Sequence, residues 1–235
     1  MLFEAVKYLT TPCAPHFKSM GYLHELIAME GRYHRCRTAW RSHLEQTKSV
    51  IKDAIRQTVG SEKAIVLGAG ILSDIPLHAL STHFRTVELV DICFLNVTKK
   101  QAQQYSNVNL RTADITGLAA NLHTNAEIPA PSIRDDPDLT EADLLISANI
   151  LSQLPVIPVL YLQKKNPELE QVELTAFERH IIENHIELLN RCPGTTCLVT
   201  EIEREFLDDD RVIKTEDLLS GVELGLDLPP LTGPV

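Results

Sequence analysis

The chain has 235 residues, 44% of them apolar, a mean hydropathy of −0.05 and a formal net charge of −10. Those values exclude a disordered polymer and allow one sizeable core with an appendage. No apolar run reaches the roughly 18 residues of a membrane span, and Met1-Leu-Phe-Glu-Ala-Val-Lys7 has no basic leader or cleavage site, so a soluble, cytoplasmic protein is expected.

The charge is uneven. Residues 1–63 hold ten Lys and Arg against six Asp and Glu, whereas residues 64–235 hold 12 against 26. So acidic a main domain argues against broad nucleic-acid binding and leaves a small molecule as the expected partner, with a homo-oligomer open. The five cysteines, Cys13, Cys36, Cys93, Cys192 and Cys197, are odd in number and contain no Cys-x-x-Cys pair. Reduced packing thiols are expected, with neither a disulfide framework nor a zinc knuckle.

In chain order, Thr11-Pro12-Cys13-Ala14-Pro15 reads as a rigid loop, because each proline disfavours helix in the residue before it. From about Gly21 to Val59 apolar residues recur at three and four: Leu23, Leu26, Ile27, Tyr33, Cys36, Trp40, Leu44, Thr47, Ile51 and Ile55. Two amphipathic helices, or one long bent one, are predicted, with Gly31 as the break and Gly60-Ser61 as the terminator. Residues 1–62 therefore form an N-terminal helical extension, placed to cap the substrate side of a domain at 63–235.

Beyond Gly60, strand and helix alternate, as in an open, mostly parallel sheet with helices on both faces. Strands are predicted at about 64–68, 86–91, 108–113, 142–148 and 196–203, and helices at about 74–83, 94–105, 115–122 and 168–191. Asn125 to Leu139, with three prolines, is irregular: a flap over the strand ends or an ordinary surface loop. After Leu207-Asp-Asp-Asp210 at most one further strand is expected, around Val222 to Leu226, so a C-terminal antiparallel hairpin reads as incomplete.

Chemistry is expected at the strand ends. The apolar run Ala64 to Leu67 stops on Gly68-Ala69-Gly70, where missing Cβ atoms let the backbone approach a ligand, and a helix from about Ile75 would aim its amides there. Asp91 follows Gly70 by 21 residues, the distance at which a second parallel strand places an acid against ribose hydroxyls. Asp91 would equally suit a helix cap, and so would Asp114 with Thr116. His180 and His185 are five apart, about 140° out of line on a helix. They read as solvated helix polarity, and no metal is expected.

These motifs resemble the class I S-adenosylmethionine-dependent methyltransferases, which have a Rossmann-like sheet. The resemblance runs from about Ala64 to Glu205. Val66-Leu-Gly-Ala-Gly-Ile-Leu72 looks like the glycine-rich first motif, and Leu89-Val-Asp-Ile92 like the acidic turn that holds the ribose. Ala113-Asp-Ile-Thr-Gly117 looks like the turn that brackets adenine, and Asp143 to Pro155 like the fourth strand with its following motif. More narrowly, Gly68 to Leu77 with the Thr-Pro-Cys block looks like a bacterial branch of the family. The resemblance implies S-adenosylmethionine as cofactor, held by Gly68, Ala69, Gly70, Asp91, Ile92, Asp114, Ile115 and Asn149. It implies in-line methyl transfer to a small molecule, for which proximity and orientation suffice, with no catalytic residue identified.

The chain departs from the family pattern where an acid two before the first glycine is replaced by Val66 and a third glycine by Leu72. Ser73 or Asp74 would then reach back to the cofactor's amino group. Tyr33, Arg37 and Trp40 on the N-terminal helices form a candidate substrate wall, the alternative being core aromatics with arginines paired to the acidic domain. Other readings are an NAD(P)-dependent oxidoreductase, an aminopropyl-type transferase, and a non-catalytic S-adenosylmethionine-binding protein.

Overall fold

The computed structural model describes residues 2–129, 138–209 and 211–224. Three helices open the chain: α1 (Leu2–Thr10), α2 (Pro15–Met20) and α3 (Tyr22–Gln57). The Thr11–Ala14 segment is the expected loop, and Pro15 begins α2, where its missing N–H costs nothing. Helix α3 runs unbroken through Gly31 for 36 residues. A glycine costs a helix interior only about 1 kcal/mol, which the buried stripe Leu23, Ile27, Thr47, Ile51 and Ile55 outweighs. The helix also ends before the expected Gly60-Ser61 terminator. Thr58 turns extended, and its N–H and hydroxyl both donate to the Ala54 carbonyl, at 3.0 and 2.8 Å.

The elements then alternate: β1 (Lys63–Leu67), α4 (Leu77–His83), β2 (Thr86–Asp91), α5 (Asn96–Ala102), β3 (Val108–Thr112), α6 (Ala119–Asn125), β4 (Leu144–Ala148), α7 (Val156–Lys165), α8 (Gln171–Asn190) and β5 (Thr195–Val199). The five strands form a parallel sheet in the order β3-β2-β1-β4-β5, a Rossmann-like α/β fold. Its central strands β1 and β4 are buried on both faces because helices cover both. Ala64, Val66, Leu144 and Ile146 pack with Ile51, Ile55 and Leu80 on one side. Ile65, Leu67 and Leu145 pack with Leu188 and Leu189 of α8 on the other. The second half of α3 thus belongs to the main core, across the boundary drawn at 62/63.

Helix α7 is not among the predicted helices. Pro158 falls in the first turn, where an N–H has no intrahelical partner to lose. Helix α4 starts at Leu77, after Pro76, so Gly70 leads into an irregular loop rather than a helix. The expected helix dipole at the glycines is therefore absent. The flap expectation for Asn125 to Leu139 falls largely on residues 130–137, outside the described residues.

The C-terminal expectation needs correction. Strands β6 (Glu203–Asp208) and β7 (Arg211–Asp217) form a separate antiparallel hairpin, and no strand occurs at Val222–Leu224. The hairpin is exposed on both faces, so it lacks the polar–apolar alternation that would reveal it in sequence. Beyond it Leu219 is buried against Leu151 and Ile182.

Candidate functional site

The sheet order reverses between β1 and β4, and the crevice of an open α/β sheet lies beyond the strand ends at such a point. A cavity of about 230 Å³ sits there, lined by Gly68, Ala69, Gly70, Asp91, Ile92, Asp114, Ile115 and Asn149 among others. The eight cofactor residues expected from sequence therefore face one space.

The glycine loop is held by the protein itself. The Gly68 and Ala69 N–H groups donate to the Val90 carbonyl at 3.0 and 3.4 Å. Gly68 and Gly70 have φ of 75° and 51°, the left-handed region. A Cβ on Gly68 would lie 1.9 Å from Ile150 Cγ2, so a neighbouring side chain, and not only a ligand, demands glycine there. From α5, the buried Thr98 hydroxyl donates to the Gly70 carbonyl at 2.7 Å, and Gln101 Nε2 to that of Ile71 at 3.3 Å. Sequence reasoning missed both, since a polar residue on a short helix carries no local signal of what it holds.

Asp91 closes the loop. Its two carboxylate oxygens accept the Gly70 and Ile92 N–H groups, each at 2.7 Å. Burial pushes its pKa up to about 6, against the pull of those two bonds. It does not cap α5, which begins at Asn96 without a side-chain cap. Asp114 does act as a cap: Oδ1 accepts from the Thr116 N–H and hydroxyl at 3.0 and 2.6 Å, and Oδ2 from the Ala119 N–H at 2.8 Å. Asn149, at φ 55°, donates from Nδ2 to Asp74 Oδ2 at 2.7 Å. Burial also raises the Asp74 pKa.

Helix α3 contributes a stripe nearer its N-terminus than the expected Tyr33, Arg37 and Trp40. Tyr22, Glu25, Leu26, Met29 and Arg32 line the cavity, at the three- and four-residue steps of one face of α3. Glu25 and Arg32 form an ion pair at the rim. Tyr22 is half-buried beside Asp114, and its hydroxyl is pushed strongly toward the neutral form by desolvation and that charge. Tyr33, Arg37 and Trp40 do not line the cavity. Tyr33 is half-buried against the cluster of Leu23, Ile27, Ile71 and Cys93, Arg37 is exposed, and Trp40 is half-buried further along the helix.

His185 is buried, not solvated, with Nε2 2.9 Å from Ser147 Oγ beneath the site. Among the described residues no group of three or more His, Cys, Asp or Glu is placed to hold a metal ion. No described helix is long and apolar enough to cross a membrane.

Cys13, in the loop before α2, meets Cys93 on the cavity wall. Contact with the Cys93 thiol, and then the charge of Lys18, lowers the Cys13 pKa, while the same contact and burial raise that of Cys93. Limiting iodoacetamide near neutral pH is expected to alkylate Cys13 before Cys93 and Cys197, because the thiolate is the nucleophile. Peptide mass mapping that finds Cys93 labelled first contradicts this.

No family model matches the chain, and no curated protein matches it. Among solved structures, a phosphoethanolamine N-methyltransferase of Haemonchus contortus, in complex with phosphoethanolamine and S-adenosylhomocysteine, is similar at 13% identity. The likeness covers 60% of this chain and 28% of that one, with a TM-score of 0.34.

Proposed function

We propose that the protein is an S-adenosylmethionine-dependent methyltransferase acting on a small molecule. One observation carries the reading: the glycine loop, the Asp91–Ile92 turn, the Asp114–Ile115 turn and Asn149 line a single cavity at the reversal of strand order. Asp91 then addresses the ribose side, and Ile92 and Ile115 supply apolar walls for adenine. Methyl transfer to a neutral nucleophile asks mainly for alignment of two reactants and exclusion of water. The α3 stripe from Tyr22 to Arg32, with Gln153, Leu154 and Ile157 opposite, forms the wall where an acceptor would lie.

A space of about 230 Å³ is below the roughly 300–1,000 Å³ of sites for drug-sized ligands.

S-adenosylhomocysteine is expected to raise the melting temperature and NAD(H) and NADP(H) to leave it unchanged, since only a ligand of the native state stabilises it. Stabilisation by a dinucleotide alone overturns the proposal in favour of an oxidoreductase. Binding of S-adenosylhomocysteine without methyl transfer from S-adenosylmethionine to any acceptor in a broad small-molecule panel favours a non-catalytic binding protein.

A further inference from the structure

Cys13 and Cys93 are far apart in the chain and touch in the fold. Cys13 is half-buried in the loop between α1 and α2, and Cys93 is buried just beyond the Asp91–Ile92 turn. Both pack into the cluster of Leu23, Ile27, Ile71 and Leu95, with their thiols in hydrogen-bonding contact. The remaining cysteines have other surroundings. Cys36 lies on α3, Cys192 donates to the Ala142 carbonyl at 3.7 Å, and Cys197 is in the core with Leu144 and Ile146.

The loop that carries Cys13 is held on both sides. The Thr11 N–H donates to the Lys7 carbonyl at 2.9 Å, Pro12 and Pro15 restrict the backbone around the cysteine, and Lys18 Nζ donates to the Tyr8 carbonyl at 3.3 Å. Contact with Cys93, and then the Lys18 charge, favour the Cys13 thiolate, while the same contact and burial keep Cys93 a neutral thiol. A partly accessible, thiolate-inclined sulfur with a second thiol in reach is the arrangement that reacts with peroxides and then resolves to a disulfide.

The two cysteines also belong to different sides of the cavity. Cys13 leads through α2 to Tyr22, the first residue of the α3 stripe, and Cys93 continues the wall begun by Asp91 and Ile92. A bond between the sulfurs would join those two sides.

We propose that Cys13 and Cys93 form a reversible disulfide in response to hydroperoxides, and that this bond fastens the N-terminal helices to the cavity wall. In the first step the Cys13 sulfur takes one peroxide oxygen as the O–O bond breaks, giving a sulfenic acid and releasing the other oxygen as water or an alcohol. In the second the Cys93 sulfur displaces that oxygen, which leaves as water with the Cys93 proton. Two thiols are oxidised and one peroxide is reduced. Neither step involves a ligand of the cavity, so the device stands apart from the function proposed above.

The full chain, reduced and desalted, is treated with an equimolar amount of hydrogen peroxide and mapped by mass spectrometry without reduction. The expected product is a Cys13 peptide joined to a Cys93 peptide within one chain, released again by dithiothreitol. Joining positions 13 and 93 closes a loop of about 80 residues, so the oxidised chain should melt about 10 °C above the reduced one. Hydrogen exchange over residues 14–30 should slow by about fivefold or more. Cys13→Ser and Cys93→Ala should each abolish the joined peptide and both shifts, and in Cys93→Ala dimedone should trap the Cys13 sulfenic acid. Cys36→Ser with Cys192→Ser should behave as wild type. Far-UV circular dichroism checks that each variant is folded.

Oxidation that joins Cys13 to any other cysteine, links two chains, or carries Cys13 to a sulfonic acid with no joined peptide overturns the proposal. A joined peptide with unchanged exchange over residues 14–30 overturns the fastening of the helices.

Discussion

Gly68→Ala is expected to lower the melting temperature by about 10 °C and to abolish stabilisation by S-adenosylhomocysteine. Two effects add. An alanine at φ 75° costs about 1–2 kcal/mol in the left-handed region. Its Cβ would also lie 1.9 Å from Ile150 Cγ2, an overlap that forces loop or side chain to move, at roughly 1–3 kcal/mol more. For a chain of this size each kcal/mol is about 2–4 °C. Ile150→Ala introduced beside Gly68→Ala removes the Cγ2 contact and should recover part of the loss while the backbone strain remains. A Gly68→Ala protein that melts like wild type contradicts the loop geometry.

Asp91→Ala is expected to remove the thermal shift given by S-adenosylhomocysteine, with an effect on intrinsic stability that depends on pH. Loss of the carboxylate strands the Gly70 and Ile92 N–H groups, each at about 1–3 kcal/mol if it finds no water. It also removes a half-buried charge. The Asp91 pKa stands at about 6 in the folded chain against 3.8 for an ordinary aspartate, so ionisation opposes folding at neutral pH by an amount on the order of 3 kcal/mol. Below about pH 3.8 the group is protonated in both states and imposes no such cost. The cost grows as pH rises between 3.8 and about 6 and is complete above that. The wild-type chain should therefore gain stability relative to Asp91→Ala as pH falls from 7 toward 4, in paired urea melts. A stability difference that stays flat across that window shows that the carboxylate is not raised. Retention of the full ligand shift in Asp91→Ala removes Asp91 from the proposed cofactor site.

The two expectations expose a limit of reading glycines and acids by spacing. Gly68 and Asp91 look in sequence like groups reserved for a ligand, yet each has structural work as well. Gly68 makes room for Ile150, and Asp91 fastens the loop through Gly70. Asp114 behaves likewise, since both its oxygens serve the start of α6. Engagement with the backbone leaves each carboxylate with acceptor positions over, so a structural role and a ligand role coexist. Asp74 had only a weak signal, as one of two polar residues after the loop. Both Ser73 and Asp74 line the cavity, and Asp74 accepts the amide of Asn149 from far along the chain, a contact that no local pattern records.

The substrate wall shows the same division. Helical periodicity in residues 21–59 identified an amphipathic helix, but a helix of 36 residues presents several stretches of the same face to different neighbours. The stretch from Tyr22 to Arg32 meets the cavity, whereas Ile51 and Ile55 meet the sheet. Aromatic and guanidinium content drew attention to Tyr33, Arg37 and Trp40, which lie elsewhere along it.

Sequence by itself determined the alternation of strands and helices, the parallel sheet and the loop at Gly68-Ala-Gly70 with an acid at Asp91. Those are consequences of side-chain period, two-sided burial and backbone freedom, all of which are local. Only the tertiary structure decided that α3 runs unbroken past Gly31, that β6 and β7 stand apart from the sheet, and that Ile150 fills the space beside Gly68. It also decided which partners each cavity carboxylate engages. Such outcomes depend on contacts between residues far apart in the chain, where packing and charge balance outweigh the preferences of any single segment.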